Sequence, residues 1–380
     1  MKEKTISFYN KHYKKFLIIP ILLVLLSLAY IGYFYKTTGD FVHRDVSLTG
    51  GTSITFPSSI SPSDFKFQLP KEFSEVDIRS LSDNSGKQTH LLITTTLEKD
   101  KIIPEIEKII GEKITEENSS IEFTGSSLGK DFYRQLLTAM LFAFLLMALV
   151  IFITFGERKD IKIYSAILTL IAGKITFPNV TSMNFLIIFF ICLVFFYGLF
   201  AIKSGKGKLI LSCLTLLAII IFFFPKYFLI WPIAIAVLSL YTFYSAPSIA
   251  VITCAFADIV LTVAIVNLMG ISISSGGIVA FLMLIGYSVD TDVLLTTRVL
   301  KRKGESINHA SLSAFKTGIT MTLTSIAAVL VALLLVYRYE TVLNQIFTIL
   351  IIGLGLDIFN TWATNVWIIK WYAEIRNKNQ

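Results

Sequence analysis

The sequence predicts a polytopic α-helical membrane protein with one small α+β extracytoplasmic domain, and three observations carry that prediction. Of the 380 residues, 54% are hydrophobic and 16% charged, with a mean hydropathy of +0.71, far above that of a water-soluble domain. Apolar runs of about 20 residues, the length a helix needs to cross a bilayer, recur along the chain. A single long polar stretch, residues 37–131, interrupts them early.

The first run, residues 16–35, is too long for a signal-peptide core and has no small-x-small cleavage site behind it, so it is expected to remain as an anchor. Nine further runs follow, at residues 132–155, 163–177, 185–202, 209–224, 228–244, 247–269, 278–297, 312–336 and 342–369. The run at 163–177 is the weakest. Parity ties it to its neighbour, because the basic clusters on either side both belong in the cytoplasm and need an even number of crossings between them, so 163–177 and 185–202 both cross or neither does.

Net charge is +8 and pI about 9.2, but the positions of the charges argue against a nucleic-acid partner. Lys2, Lys4, Lys11, Lys14 and Lys15 precede the first run. Arg158, Lys159 and Lys162 form a second cluster, and Lys203, Lys206 and Lys208 a third. Arg298, Lys301, Arg302 and Lys303 form a fourth, and Lys370, Arg376 and Lys378 close the chain. By the positive-inside rule all five are cytoplasmic, as are both termini. Residues 37–131 carry a net charge of −6 and belong outside. The expected location is the cell (plasma) membrane.

Within 37–131, residues 51–56, 75–80 and 90–96 read as strands and 101–111 as an amphipathic helix. Residues 120–124 supply a fourth strand. Together they predict a helix packed on one face of an antiparallel sheet, large enough to fold between two anchors. Cys192, Cys213 and Cys254 fall in apolar runs and read as small core residues, not a disulfide framework.

Charge deep in a span costs about 2.5–3.5 kcal/mol on insertion scales, so each such residue asks for a partner or a role. Asp258 lies mid-run, Asp290 and Asp292 sit in the inner half of the next, Lys316 lies two turns into its helix and Asp357 is midway through the last. Helical periodicity aligns Gly353, Asp357, Asn360, Thr361 and Thr364 as one polar stripe and Lys316, Thr320 and Thr324 as another. Both are expected to face the bundle interior. Gly286, four residues before Asp290, is expected to let a neighbouring helix approach that carboxylate, burying Asp290 between helices. Asp292 points about 200° away from Asp290. An aspartate facing a lysine changes charge as helices shift, the physics of a proton or ion relay. The plain alternative is that these groups are structural pairs. For Lys316 it is that the ammonium snorkels to the headgroups, and for Arg298 that it is a positive-inside anchor.

The run Gly286-Tyr287-Ser288-Val289-Asp290-Thr291-Asp292-Val293-Leu294-Leu295-Thr296-Thr297-Arg298 resembles the signature of archaeal-type SecF, of the SecD/SecF family of protein-export membrane proteins within the RND-like superfamily. The resemblance extends to Gly50-Gly51-Thr52, Ser245-Ala246-Pro247-Ser248, Ala257-Asp258-Ile259, Lys316-Thr317-Gly318-Ile319-Thr320-Met321-Thr322 and Asp357-Ile358-Phe359-Asn360-Thr361-Trp362. It implies an RND-like bundle of six core spans, a ferredoxin-like external domain between the first two, and assistance to export with ion flow coupled to polypeptide movement. The implied partners are a SecD-like subunit, the Sec translocation channel, the exported polypeptide and membrane lipids. By position, Asp290 is similar to the SecD-type aspartate, and Lys316 stands where bacterial relatives carry arginine, which changes its ability to deprotonate.

The chain departs from the family pattern at residues 156–245, about four inserted spans without intramembrane carboxylates, expected to form a peripheral bundle. The expected divisions are 1–36 (cytoplasmic terminus and first helix), 37–131 (external domain), 132–155 (second core helix), 156–245 (insert), 246–371 (four core helices) and 372–380 (cytoplasmic tail). The expected coupling residues are Asp258, Asp290, Asp292, Lys316 and Asp357. Gly286, Thr320, Thr324, Asn360 and Thr361 are expected to line the bundle, and Gly50, Gly51 and Thr52 to form an external-domain motif.

A proton-driven RND-like exporter of lipids or small amphiphiles is an alternative with the same fold. An intramembrane aspartyl protease is disfavoured because Leu356 interrupts the Gly-x-Gly-Asp motif in Gly353-Leu354-Gly355-Leu356-Asp357. No metal cluster, phosphate loop or nucleophilic triad is visible in the sequence, so neither enzyme chemistry nor a cofactor is expected. Asn118 and Asn179 begin glycosylation sequons on the side expected to be external.

Overall fold

The computed structural model describes residues 17–70, 76–82, 87–115, 117–176, 191, 194–195, 197–199, 202, 204–223, 230–301, 305–336 and 342–378. Most of the expected span 185–202, together with Lys2, Lys4, Lys11, Lys14, Lys15, Asn179, Cys192, Lys203, Arg302 and Lys303, lies outside the described residues.

Helix α1 (Ile18–Thr38) ends at Gly39, whose left-handed backbone (φ 80°) lets its N–H bond the Tyr35 carbonyl and close the helix. A short helix, α2 (Val46–Thr49), leads into strand β1 (Gly51–Pro57). Helix α3 (Pro62–Gln68) starts from Ser61, whose hydroxyl accepts the Asp64 N–H, with proline in the first turn. Then come β2 (Asp77–Ser82), β3 (Gln88–Thr95), helix α4 (Lys99–Ile110) and β4 (Ser120–Thr124).

The βαββαβ order folds into one four-stranded sheet with neighbours β2-β3-β1-β4, and every pairing is antiparallel. This is the split-βαβ topology of ferredoxin-like domains. Strand alternation sets the register: Ile54 pairs with both Ile93 and Ile121, and Ile78 pairs with Ile93, so one face is apolar. That face packs on α3 and α4 through Phe65, Ile102 and Ile106, all fully buried. The four strands expected from sequence are all present, each within two or three residues of its expected ends; α3 is an addition. Ser53, Thr55, Leu92, Thr94, Ser120 and Glu122 line the other face, which looks across a cleft of about 1040 Å³ toward the ends of the membrane helices.

The helical part begins with α5 (Ser126–Phe155), followed by α6 (Lys159–Thr176), α7 (Gly205–Phe223) and α8 (Ile230–Tyr244). It continues through α9 (Ala246–Leu268), α10 (Ser275–Lys301), α11 (Ile307–Val336) and α12 (Val342–Asn360). A π-helical turn, Thr361–Asn365, joins α12 to α13 (Val366–Lys378). Among the described residues, six helices are long and apolar enough to cross a membrane: α1, α5, α9, α10, α11 and the continuous α12–α13. The chain is thus a multi-pass membrane protein. Helices α6, α7 and α8 occupy the expected insert. Ile163, Ile167, Ile171 and Leu211 form an apolar core there, away from the intramembrane carboxylates. Cys254 is buried as expected, but Cys213 is exposed, correcting its placement in a core.

Helix α9 is the centre of the bundle, 61% buried over its most apolar window, and α11 the periphery, 6% buried over its own. That contrast decides which polar residues meet.

Candidate functional site

Three carboxylates converge where α9, α10 and α12 pack. Asp258, Asp292 and Asp357 are each fully buried. Asp258 has a donor for each oxygen: Ser288 donates to Oδ2 at 2.7 Å and Asn360 Nδ2 to Oδ1 at 2.6 Å. Asp292 Oδ1 accepts from Asn365 Nδ2 at 2.7 Å and lies 2.9 Å from the Thr361 hydroxyl. That same hydroxyl lies 3.2 Å from Asp357 Oδ1. The second oxygens of Asp292 and Asp357 are buried without a hydrogen-bond partner.

A threonine hydroxyl has one proton to give, yet Thr361 touches two carboxyl oxygens. The Asp292–Thr361–Asp357 unit is therefore one proton, or one cation, short of a complete set. Buried negative charge without compensation costs several kcal/mol per ion even after relaxation, and Ser288, Asn360, Thr361 and Asn365, which donate to these carboxyl groups, are neutral side chains. The arrangement suits a site that takes up and releases a small cation.

The π turn builds this geometry. Four residues of α-helix overshoot a full turn by about 40°, and the wider π turn cancels much of that drift, so Asp357, Thr361 and Asn365 share one line toward Asp292. π turns inside α-helices occur frequently at functional sites. Gly353, placed in the polar stripe by periodicity, serves packing instead: a Cβ there would meet Leu284 Cδ2 at 2.5 Å, so glycine brings α12 close to α10.

Of the expected site residues, the structure brings Asp258, Asp292, Asp357, Asn360 and Thr361 together. It does not bring Gly286, Asp290, Lys316, Thr320 and Thr324 into the interior; all five are exposed on the outer surface of the chain, which corrects the expectation for both the α11 stripe and Asp290. The physical reason is angular. Asp292 occupies the inner face of α10, so Asp290, about 200° round, must look outward. Among the described residues nothing lies within 4 Å of the Gly286 Cβ position, so no described helix approaches it. A Cβ at Gly318 would stand 3.0 Å from Thr291 Cγ2, so α10 and α11 touch one residue from Asp290 and two from Lys316 along the chain. Arg298 is tied down there too, donating to the Ser313 hydroxyl and carbonyl at 2.7 and 3.0 Å.

Ser288 and Asn365 are site residues that the sequence reading missed. Each was accessible by helical spacing, Ser288 four residues before Asp292 and Asn365 four after Thr361. The Gly50, Gly51 and Thr52 motif is architectural. Gly50 has φ +81° and Gly51 φ +138°, a Cβ on Gly51 would collide with the Thr95 carbonyl, and the buried Thr52 hydroxyl donates to Leu97 O at 2.7 Å. The motif stitches the start of β1 to the end of β3.

Residues 212–375 match the family model "Protein export membrane protein SecD/SecF, C-terminal". A protein-export membrane protein SecF from Methanolacinia petrolearia is 29% identical over 367 residues, covering 95% of this chain and 94% of that one. SecF from Methanothermobacter thermautotrophicus is 50% identical over 135 residues, and SecF from Methanocaldococcus jannaschii 47% over 146. Those two matches span 34% and 37% of this chain and about half of each relative, 47% and 52%. Among solved structures, SecDF from Thermus thermophilus, described as a translocon-associated membrane protein, superposes with a TM-score of 0.55 at 13% identity. The superposition covers 97% of this chain and 38% of that one, and shows a shared fold.

Proposed function

We propose, from the premise that this chain belongs to the SecF family of protein-export membrane proteins, that a SecD-like subunit covers the face carrying Gly286, Asp290, Lys316, Thr320 and Thr324. The observation that carries this reading is an acid and a base exposed at membrane depth on adjoining helices of the same chain. Each costs about 2.5–3.5 kcal/mol if left against lipid, and a polar partner bundle removes that cost. The bare Cβ position at Gly286 gives the partner helix room to reach Asp290.

Within the chain, the buried Asp258–Asp292–Asp357 cluster is the coupling site, and a proton or sodium ion is its ligand. Asp292 and Asp357 share one hydroxyl and each has a bare oxygen, so gaining or losing a positive charge there changes the force between α10 and α12. Asp290 and Lys316 do the corresponding work across the subunit boundary. Exported polypeptide engages the sheet domain outside the membrane, both termini lie in the cytoplasm, and the Sec translocation channel and membrane lipids flank the assembly. The insert of α6–α8 is a peripheral packing bundle.

The test is Asp290→Asn in the chain co-expressed with its SecD-like partner. Export of a signal-bearing reporter is expected to slow about tenfold while the two subunits still co-purify. Unchanged export would remove Asp290 from the coupling path, and loss of co-purification would make its role assembly instead.

A further inference from the structure

The turn between α9 and α10 is hydrogen-bonded on two sides, and the two sides lead to different parts of the protein. On one side lies the root of the sheet domain, residues 40–47. Ile273 N–H donates to His43 O at 2.6 Å and Asp45 N–H to Ile273 O at 3.0 Å, a parallel bridge between Arg44 and Ile273. Asn267, at the end of α9, grips the same root: its Nδ2 donates to Phe41 O at 2.8 Å and its Oδ1 accepts His43 N–H at 3.3 Å. Ser275 N–H reaches Ser47 Oγ at 3.3 Å. Arg44, paired with Asp40 at 2.5 Å and stacked over the Tyr133 ring, ties the root to α5 as well.

On the other side lies the start of α12. Gln345 Oε1 accepts Ser274 N–H at 3.0 Å and the Ser274 hydroxyl at 2.5 Å, while Gln345 Nε2 donates to Ser272 O. Gly277 completes the fit, since a Cβ there would lie 2.7 Å from Gln345 Oε1. The helices that meet at this turn are the three that carry the buried carboxylates. Along α12, Gln345 and Asp357 are 12 residues apart, about 18 Å of continuous helix.

We propose that the α9–α10 turn is a transmission joint: movement of α12 against α9 and α10 at the carboxylate cluster passes through Gln345 to the turn, and through the Arg44–Ile273 bridge to the root of the sheet domain. The proposal rests on the cluster being the coupling site. Hydrogen bonds in series suit the task because they hold register, whereas apolar contacts between smooth helices allow sliding. The same turn walls the cleft beneath the sheet, which is lined by Asp45, Ser272, Ser274 and Gln345 together with Thr55 and Thr94 of the sheet. A shift of the turn therefore changes the spacing between sheet and bundle.

Hydrogen–deuterium exchange on the full chain in lipid nanodiscs tests it, with no dependence on export. Asp357→Asn is expected to change amide protection over residues 43–47 by about threefold or more. In a Gln345→Leu background the same cluster substitution is expected to leave 43–47 unchanged while still altering exchange around residue 357. Gln345→Glu keeps the acceptor for Ser274 and loses only the donor to Ser272, so it is expected to transmit part of the change, and it carries the test if the leucine variant fails to fold. An unresponsive root in Asp357→Asn, or a full response that survives the loss of Gln345, overturns the proposal. Normal export by Asp290→Asn would count against the partner-face reading alone and leave this readout intact.

Discussion

Replacing Thr361 with valine removes the one proton that Asp292 and Asp357 share and little else. Valine keeps the β-branched shape, but the hydroxyl contacts at 2.9 and 3.2 Å disappear. Asp357 Oδ1 then loses its Thr361 partner, and Asp292 retains Asn365 at 2.7 Å. Interhelical hydrogen bonds in membranes average about 0.6 kcal/mol and reach about 1.7. A buried acceptor left unpaired costs about 1–3 kcal/mol. Since the hydroxyl serves two carboxyl groups but donates once, about 1–3 kcal/mol is the expected loss for Thr361→Val. Thr361→Ser keeps the hydroxyl and should stay within about 0.5 kcal/mol of the parent, the usual range for substitutions that disturb no key feature. Denaturation of the purified protein measures the stability difference, and export of a reporter in cells measures the function. The serine variant should export normally and the valine variant should not. If valine matches serine in both assays, Thr361 does not link the two carboxylates and the cluster is not organised as described.

Other consequences are equally concrete. Lys316→Leu should weaken co-purification with a SecD-like partner and leave the isolated chain as stable as before, because Lys316 is exposed in the chain alone; a destabilised isolated chain would contradict that placement. Gly51→Ala should destabilise the sheet domain by about 2–4 kcal/mol, because it joins a strained φ to a collision with the Thr95 carbonyl, and limited proteolysis of residues 51–95 should report it. Asp160 pairs with Arg158 at 2.5 Å, and the Arg158 guanidinium holds its carboxyl below the ordinary value of 3.8. The folded-state value is depressed, so this contribution is present above pH 3.8 and fades as the pH falls further. Asp160→Asn should therefore lower stability at neutral pH by less than about 1 kcal/mol, with the difference closing in acid; a gap that widens in acid would reverse the assignment.

The sheet domain was legible because strand alternation is a local signal. Ile54 and Phe56 alternate with Ser53 and Thr55, Leu91 and Ile93 stand either side of Leu92, and the structure buries those four apolar side chains on one face. Helix α3 escaped because its pattern is seven residues long and only Phe65 of it is buried. In the membrane part, apolar length alone located the helices, but every face of such a helix is apolar enough to meet lipid, so periodicity says little about which neighbour each face meets. Polar residues were the only markers, and in the second half of α12 Asp357 and Asn360 lie on one side.

On α10 the markers lie on both sides, and that is where the sequence reading went wrong. Asp290 and Asp292 belong to opposite faces of one helix, and here Asp292 looks inward while Asp290 is exposed. Both are expected coupling residues with different neighbours, and Asp290 is expected to be buried because Gly286 sits four residues away, a spacing that signals close helix packing. The packing signal concerns a surface that the described residues do not cover, since none of them lies within 4 Å of the Gly286 Cβ position. Asp292 gains the interior because Thr361 and Asn365 reach it, and they reach it through a π turn that no residue pattern announces. A helix with acids on two faces is thus a helix between two bundles. One face is satisfied by α9 and α12 of the same chain. The other carries Asp290 exposed, so on the proposed reading assembly with a partner and charge movement inside this chain are carried by opposite faces of α10.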